Sequence, residues 1–310
     1  FLNLVKNYSE GAPASSARRY SPSFLHYLEE NVSRAKRVGN VSAYEKLSTT
    51  VARFKKFLSN NHMMEEGDFF FYMLTPDLLR AFEKEMKEDM LSLNTISFYM
   101  RVLRSYYNKA AIDGLHNPIY DPFKCVYTGV QKTKKRAVEL EVLEKIRSVQ
   151  LPDKLHFSRD LFLFSFYTRG MSFVDIANLK RQNLSSEEIT YYRSKTGQLI
   201  RIRLEPCIQS IIDKYRGESG GDYIFPIILK GGKVRSYNSA LKCYNYKLRQ
   251  ISEYIGIEKP LTSYVSRHSW ASVAKQIGVP ILTISEGMGH TSERTTQIYL
   301  TSLNQETIDD

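Results

Sequence analysis

The stretch Ser266–Tyr299 decides how this chain is read. It runs S-R-H-S-W-A-S over Ser266–Ser272, I-G-V-P-I-L-T-I-S-E-G-M-G-H over Ile277–His290, and T-S-E-R-T-T-Q-I-Y over Thr291–Tyr299. The pattern predicts three short helices, Arg267–Ile277, Ile281–Met288 and Glu293–Leu300, with a Gly278-Val279-Pro280 turn between the first two. Along them stand an Arg-His pair near a helix start, a Met-Gly-His triplet, and a tyrosine nine residues after that histidine.

Working outward, the second half of the chain is mostly helical with one hairpin. Glu139–Val149 and Phe157–Tyr167 read as helices, the second so apolar that it is expected to be buried all round, and Asp175–Lys180 continues helical. Ile189–Arg193 and Gln198–Leu204 are strand-like, with Ser194-Lys195-Thr196-Gly197 as the turn between them. Pro206 opens a helix reaching Tyr215, and Ser239–Tyr254 is another.

The first half carries four helical patterns. Phe24, Tyr27 and Leu28 begin one apolar stripe; Tyr44, Leu47, Val51, Phe54 and Leu58 form a second at intervals of three and four. Thr75-Pro76-Asp77 is a helix start, a capping hydroxyl followed by Pro at the first helical position, with Leu78, Leu79, Phe82 and Met86 on its apolar face. Asn94 is expected to cap the fourth, with Ile96, Tyr99, Met100, Leu103, Tyr107 and Ala110 inward. Four helices with short loops make a small bundle. Asn117-Pro118 and Asp121-Pro122 break the pattern, and a run of Lys132, Lys134, Lys135 and Arg136 follows. The expected organisation is a lead-in over 1–20, a helical domain over 21–115, a basic linker over 116–136 and a second domain over 137–310.

The ordered set in Ser266–Tyr299 resembles the C-terminal signature of the tyrosine recombinases, the phage-integrase family. Other segments agree in order. Lys195 matches the family's β-hairpin lysine, and Thr168-Arg169-Gly170-Met171-Ser172-Phe173-Val174-Asp175, followed by Leu179-Lys180, resembles its first arginine box. The N-terminal bundle is similar to the family's core-binding domain, as found in integrases and invertases of a bacterial conjugative-element subgroup. The resemblance spans about residues 22–303. It implies a mainly α fold with a small β-sheet or hairpin: an N-terminal four-helix, SAM-like core-binding domain and a C-terminal α+β catalytic domain.

The activity implied is site-specific DNA recombination through a 3′-phosphotyrosine intermediate: integration, excision or inversion of mobile DNA. A tyrosine phenolate can attack phosphorus and store the bond energy of the broken phosphodiester, so no nucleotide cofactor is required. Accordingly no G-x-x-x-x-G-K-[ST] stretch is present. The resemblance makes Tyr299 the nucleophile. Arg267 and His290 would donate hydrogen bonds to the non-bridging oxygens. Lys195, on the hairpin, would protonate the leaving 5′ oxygen. With cationic groups around the phosphate no metal is called for, and no carboxylate cluster stands out to hold one.

Two positions depart from the family. If Asp175 takes the acidic position, Ser172 falls where the first arginine belongs; Arg169, one helical turn earlier, is the expected replacement. Tyr264 stands where the family has His or Lys, offering a hydroxyl donor without a positive charge. Each residue also has a structural alternative: Lys195 as an exposed hairpin lysine, Arg267 paired with a carboxylate, His268 packed within the domain, Asp175 orienting an arginine or capping a helix. A type IB topoisomerase-like relaxing enzyme, and a DNA-binding factor with a decayed site, are the alternative functions.

Composition agrees with this. The 310 residues suggest about two domains. Hydrophobic residues at 42% and charged residues at 25% are ordinary for a globular protein. No apolar run approaches the ~20 residues of a membrane-spanning helix. Net charge is +11, with +6 in residues 1–140 and +5 in 141–310, so the excess is not a basic tail and points to a polyanion partner. Candidate DNA contacts are Arg101, Arg104 and Lys109 on the fourth helix, Lys132, Lys134 and Lys135 in the linker, and Lys233, Arg235, Lys242 and Lys247 in the second domain. Two basic domains on a basic linker suggest a clamp around double-stranded DNA bearing a specific recombination site. The resemblance further implies a homo-tetramer on two duplexes, with accessory DNA-bending proteins as possible partners. Cys125, Cys207 and Cys243 form neither a metal pair nor a disulfide framework. Together with the lack of a signal pattern they fit a bacterial cytoplasmic, nucleoid-associated protein. The sequence starts at Phe1 rather than Met, which leaves open an N-terminal arm-binding domain ahead of it.

Overall fold

Thr75 acts as its sequence dictates: its hydroxyl accepts the Leu78 N–H at 3.2 Å, and Pro76 occupies the first turn, where no N–H is needed. The computed structural model describes residues 22–131, 137–230, 233–234, 236–258, 260–290, 292 and 295–297. The chain divides into two compact units, Phe1–Thr133 and Lys134–Asp310.

The first unit holds helices α1 (Phe24–Arg37), α2 (Val41–Asn60), α3 (Pro76–Glu88) and α4 (Leu93–Ile112). Their apolar stripes meet in an aromatic core in which Phe24, Phe54, Phe57, Phe69 and Phe82 are fully buried. Phe82 packs its ring 5.3 Å from Phe54 and 4.9 Å from Phe57. Two expectations are corrected. Ser92, not Asn94, caps α4, its hydroxyl accepting the Thr95 N–H. Asn94 instead brackets Gln131, donating to its carbonyl at 2.9 Å and accepting its N–H at 2.8 Å. The start of the expected linker is also packed. A 3-10 turn over Pro122–Cys125 drives Phe123 into the core, and Arg104 donates to Asp121 at 2.6 Å. Local breakers such as Asp121-Pro122 stop a helix, but they do not stop the chain from burying the next phenylalanine.

The second unit is built on α6 (Asp153–Tyr167), packed against α5 (Leu140–Ser148) and, as they follow, α8 (Pro206–Lys214), α9 (Tyr237–Ile255) and α10 (Val265–Gln276). Leu161–Ser165 is buried without interruption, as expected of a central helix. Within it Asp160 is buried and accepts from Arg159, Lys214 and Tyr215. Burial pushes its carboxyl up, but these donors outweigh that and hold it below the usual range. After α6 come the six-residue α7 (Phe173–Asn178) and the antiparallel hairpin β1 (Glu188–Tyr192) and β2 (Leu199–Arg203), with Ile189 opposite Ile202 and Tyr191 opposite Ile200. A second minimal pair, β3 (Leu229–Lys230) and β4 (Lys233–Val234), precedes α9. Helix α11 (Ile281–Gly287) follows α10. The protein is thus mainly helical with a small antiparallel sheet. No described helix is long and apolar enough to cross a membrane.

Candidate active site

Arg267 lies on the first turn of α10 and is 3% exposed. A buried guanidinium must find acceptors. Its Nη1 donates to the Gly170 carbonyl at 2.6 Å; its Nη2 donates to the Met288 carbonyl at 2.6 Å and to His290 Nε2 at 3.0 Å. Serines fix the helix that carries it. Ser165 Oγ spends its proton on the Met171 carbonyl, so Ser266 donates to Ser165, at 2.6 Å. Ser269 accepts the Val138 N–H at 2.9 Å.

Gly170 makes room for this arginine. It sits at φ +72°, and a Cβ there would lie 2.8 Å from both Cα and Cγ of Arg267. Gly170→Ala is expected to displace the guanidinium, at a cost of about 1–3 kcal/mol for the backbone conformation alone. The measurable results are a lower melting temperature and at least a tenfold slower DNA cleavage; wild-type values for both would show that the contact is dispensable.

His290 is 7% exposed. Its Nε2 accepts from Arg267, so Nδ1 carries the proton and faces Thr296 Oγ1 at 2.8 Å. Burial, then the charges of Arg267, Arg193 and Lys195, push its pKa down to about 3 from 6.5. The imidazole is therefore neutral at physiological pH. As placed, Nε2 accepts from Arg267, and the expected donation to a phosphate would use an N–H at Nε2, as in the other tautomer or the protonated ring. Between pH 6.5 and 3 the unfolded chain binds this proton more tightly. The stability associated with the neutral ring is thus complete above about pH 6.5 and is lost as pH falls toward 3. His290→Asn is expected to flatten the fall in melting temperature over pH 6.5–4; parallel curves for the two proteins would assign the effect to other groups.

The hairpin supplies two cations. Lys195 is exposed in the turn. Arg193, which the sequence reading assigned only to a strand end, is 5% exposed and donates to the Gly289 carbonyl. Its Nε has no acceptor among the described residues. Gly289, at φ +64°, permits the approach: a Cβ there would stand 2.7 Å from Ile200 Cδ1 and 3.0 Å from Arg193 Cδ. A signal for Arg193 existed. Ile189, Tyr191 and Arg193 alternate along one strand and all three are buried, so the inward face of β1 continues into the arginine.

Arg169 borders the same place. It adopts φ +57° at the end of α6, is half-buried, and runs its Cδ 3.6 Å from where a Cβ on Gly287 would stand. The buried Tyr191 hydroxyl feels the same cations. Burial, then Asp175, push its pKa up; Arg267, Arg193 and Arg169, in that order, act against them. Tyr264 is 47% exposed, one turn before Arg267, with its ring 5.7 Å from that of His268. Tyr299 lies outside the described residues.

The expected DNA contacts divide. Arg101 is exposed beside a groove of about 700 Å³ between α2 and α4 that Lys46 and Ser97 also line. Lys242 is exposed on α9. Arg104 is engaged by Asp121, and Lys109 donates to Asn31 at 3.2 Å. Lys233 has only its backbone described, in β4, and Lys132, Lys134, Lys135 and Arg235 lie outside the described residues.

Residues 23–124 match the phage integrase SAM-like domain and residues 138–306 match the phage integrase family. Among similar proteins, the tyrosine recombinase XerD of Listeria monocytogenes is 24% identical over 291 residues, covering 89% of this chain and 91% of its own. A lambda integrase dimer bound to a COC′ core site aligns with a TM-score of 0.69 at 14% identity, covering 94% of this chain and 81% of that one. The Tn1549 transposon integrase in complex with transposon right end DNA aligns with a TM-score of 0.64 at 14% identity, covering 90% and 94%.

Proposed function

The chain belongs to the phage integrase family and is a site-specific tyrosine recombinase; from that premise we propose that it cuts and rejoins duplex DNA with the residues gathered around Arg267. The observation that carries this is convergence. Arg267, His290 and the hairpin pair Arg193 and Lys195 come from three separated segments, yet Arg267 bonds His290, Arg193 bonds the residue before His290, and Lys195 lies close enough to act on the His290 charge. A decayed site would have no reason to keep such a cluster.

In the proposed reaction the Tyr299 hydroxyl gives its proton to water and its oxygen forms a bond to phosphorus as the phosphorus–5′ oxygen bond breaks. Lys195 gives a proton to the leaving 5′ oxygen, leaving a 3′-phosphotyrosine. The 5′ hydroxyl of a partner strand then reverses the step. Arg267 and Arg193 hold the non-bridging oxygens, where charge grows in the transition state. Arg193 thereby does, beside Arg267, what the family does with an arginine at the position of Ser172, and Arg169 plays the lesser part. Tyr264, exposed at the helix start, adds a neutral hydroxyl donor.

Arg101, Lys242 and the basic run around Lys134 contact the phosphate backbone on either side, as a tetramer brings two duplexes together. The place of action is the bacterial nucleoid, and the reaction moves or inverts mobile DNA. The test is covalent trapping: protein incubated with nicked duplex sites drawn from the ends of the mobile DNA that carries its gene should give a slow-migrating protein–DNA species on a denaturing gel. Failure to form any adduct on sites the protein binds would overturn this function.

A further inference from the structure

Ser172 and Asp175 form the S-x-x-D pattern of a helix capping box at the start of α7. In that motif the Asp carboxylate would reach back to the Ser172 N–H, and the serine oxygen would accept the N–H of the third helical residue. Neither happens. Ser172 caps α7 without a side-chain cap bond. Its hydroxyl instead donates to Asp175 Oδ2 at 2.5 Å. The carboxylate is thereby turned outward, and its Oδ1 accepts the backbone N–H of Ser194 at 2.8 Å, nineteen residues away. Asp175 is 4% exposed, while Ser194 sits on the exposed turn.

Ser194 is the residue before Lys195 and the residue after Arg193. The turn has other ties on this side: Arg193 and Thr196 donate to the Gly289 carbonyl, Thr196 at 3.3 Å. Among the described residues, it is the Asp175 bond that ties the backbone at the lysine to the helix that opens with Ser172. An exposed lysine on a two-stranded hairpin has wide freedom, and general acid catalysis requires its Nζ within hydrogen-bond reach of one oxygen.

We infer that Ser172, Asp175 and the Ser194 amide form a clasp that fixes the hairpin turn so that Lys195 meets the leaving oxygen; Ser172 and Asp175 are positioning residues. This rests on Lys195 as the general acid. It gives Ser172 a use in the place where the family keeps an arginine: its hydroxyl occupies one carboxylate oxygen and leaves the other for the hairpin.

The chemistry supplies a selective readout. If the bridging 5′ oxygen of the scissile phosphate is replaced by sulfur, the leaving thiolate needs no proton, so a defect in proton delivery disappears while a defect in phosphate binding or folding persists. On ordinary nicked DNA, Asp175→Ala is expected to slow adduct formation about 10–100-fold and Ser172→Ala about 3–10-fold. Both should return to within about threefold of wild type on the 5′-phosphorothiolate. Asp175→Asn keeps an acceptor for the Ser194 N–H and should stay near wild type on both substrates. Lys195→Ala serves as the reference: rescue of Lys195→Ala without rescue of the two clasp variants overturns the clasp and leaves the general acid standing. A Lys195→Ala protein equally impaired on both substrates overturns the general acid, and the clasp with it. Ser172→Ala, which removes one hydrogen bond and keeps the carboxylate, decides the question if Asp175→Ala does not fold.

Discussion

A Tyr299→Phe protein is expected to bind duplex DNA as wild type does and to form no covalent adduct. The substitution removes one oxygen and keeps the ring, so any packing the ring makes is retained while the atom that would bond phosphorus is gone. The loss is therefore complete rather than graded. The chain has 21 tyrosines, and some of the described ones are engaged otherwise: Tyr244 is buried and packed on Phe173, Tyr215 donates to Asp160, and Tyr27 donates to Asp113. Tyr299 is singled out by the family resemblance, through its spacing of nine residues after His290 in the sequence. Thr296, three residues before it, is fully buried and bonded to His290, which in turn meets Arg267. An adduct that persists in Tyr299→Phe on the denaturing gel would move the nucleophile elsewhere.

Arg193→Ala carries the second largest expected effect, a loss of about 10²–10³-fold in the rate of adduct formation, the scale of removing one preorganised donor, about 3–4 kcal/mol. Arg193 is buried, anchored by the Gly289 carbonyl, and reaches the same cluster as Arg267. Arg193→Lys should recover only part of the rate, because an ammonium cannot offer the paired donors of a guanidinium. Arg169→Ala, which alters a half-buried side chain at the edge of the cluster, should cost less than tenfold. The opposite ranking, with Arg169→Ala more damaging than Arg193→Ala, would return the first-arginine role to Arg169. A thermal melt separates chemistry from folding, since losing the Gly289 bond alone is worth about 1–3 kcal/mol of stability.

The helical elements were largely legible because each carries its own period and its own stop signals. Thr75-Pro76 starts α3 as read, the alternation Ile189, Tyr191 forms β1, and the apolar run Leu161–Phe164 became the centre of the second unit. The misjudged places are those where a side chain serves a distant partner. Asn94 has the chemistry of a cap but holds Gln131; Phe123 lies among breakers yet fills the core; Asp175 sits at a capping-box position yet bonds the hairpin.

The sequence by itself determined the family and the helical class with a hairpin, and it singled out Arg267, His290, Lys195 and Tyr299 as the candidate set, because those follow from residue type and spacing along the chain. Only the tertiary structure brought Arg193 beside Gly289-His290, as a candidate for the place of the first arginine. That position is a point in space, and a guanidinium can enter it from the hairpin as well as from the helix before it. Burial of Arg193 against Gly289 and the Asp175–Ser194 bond are contacts between segments about 20 to 100 residues apart, and no local period encodes them.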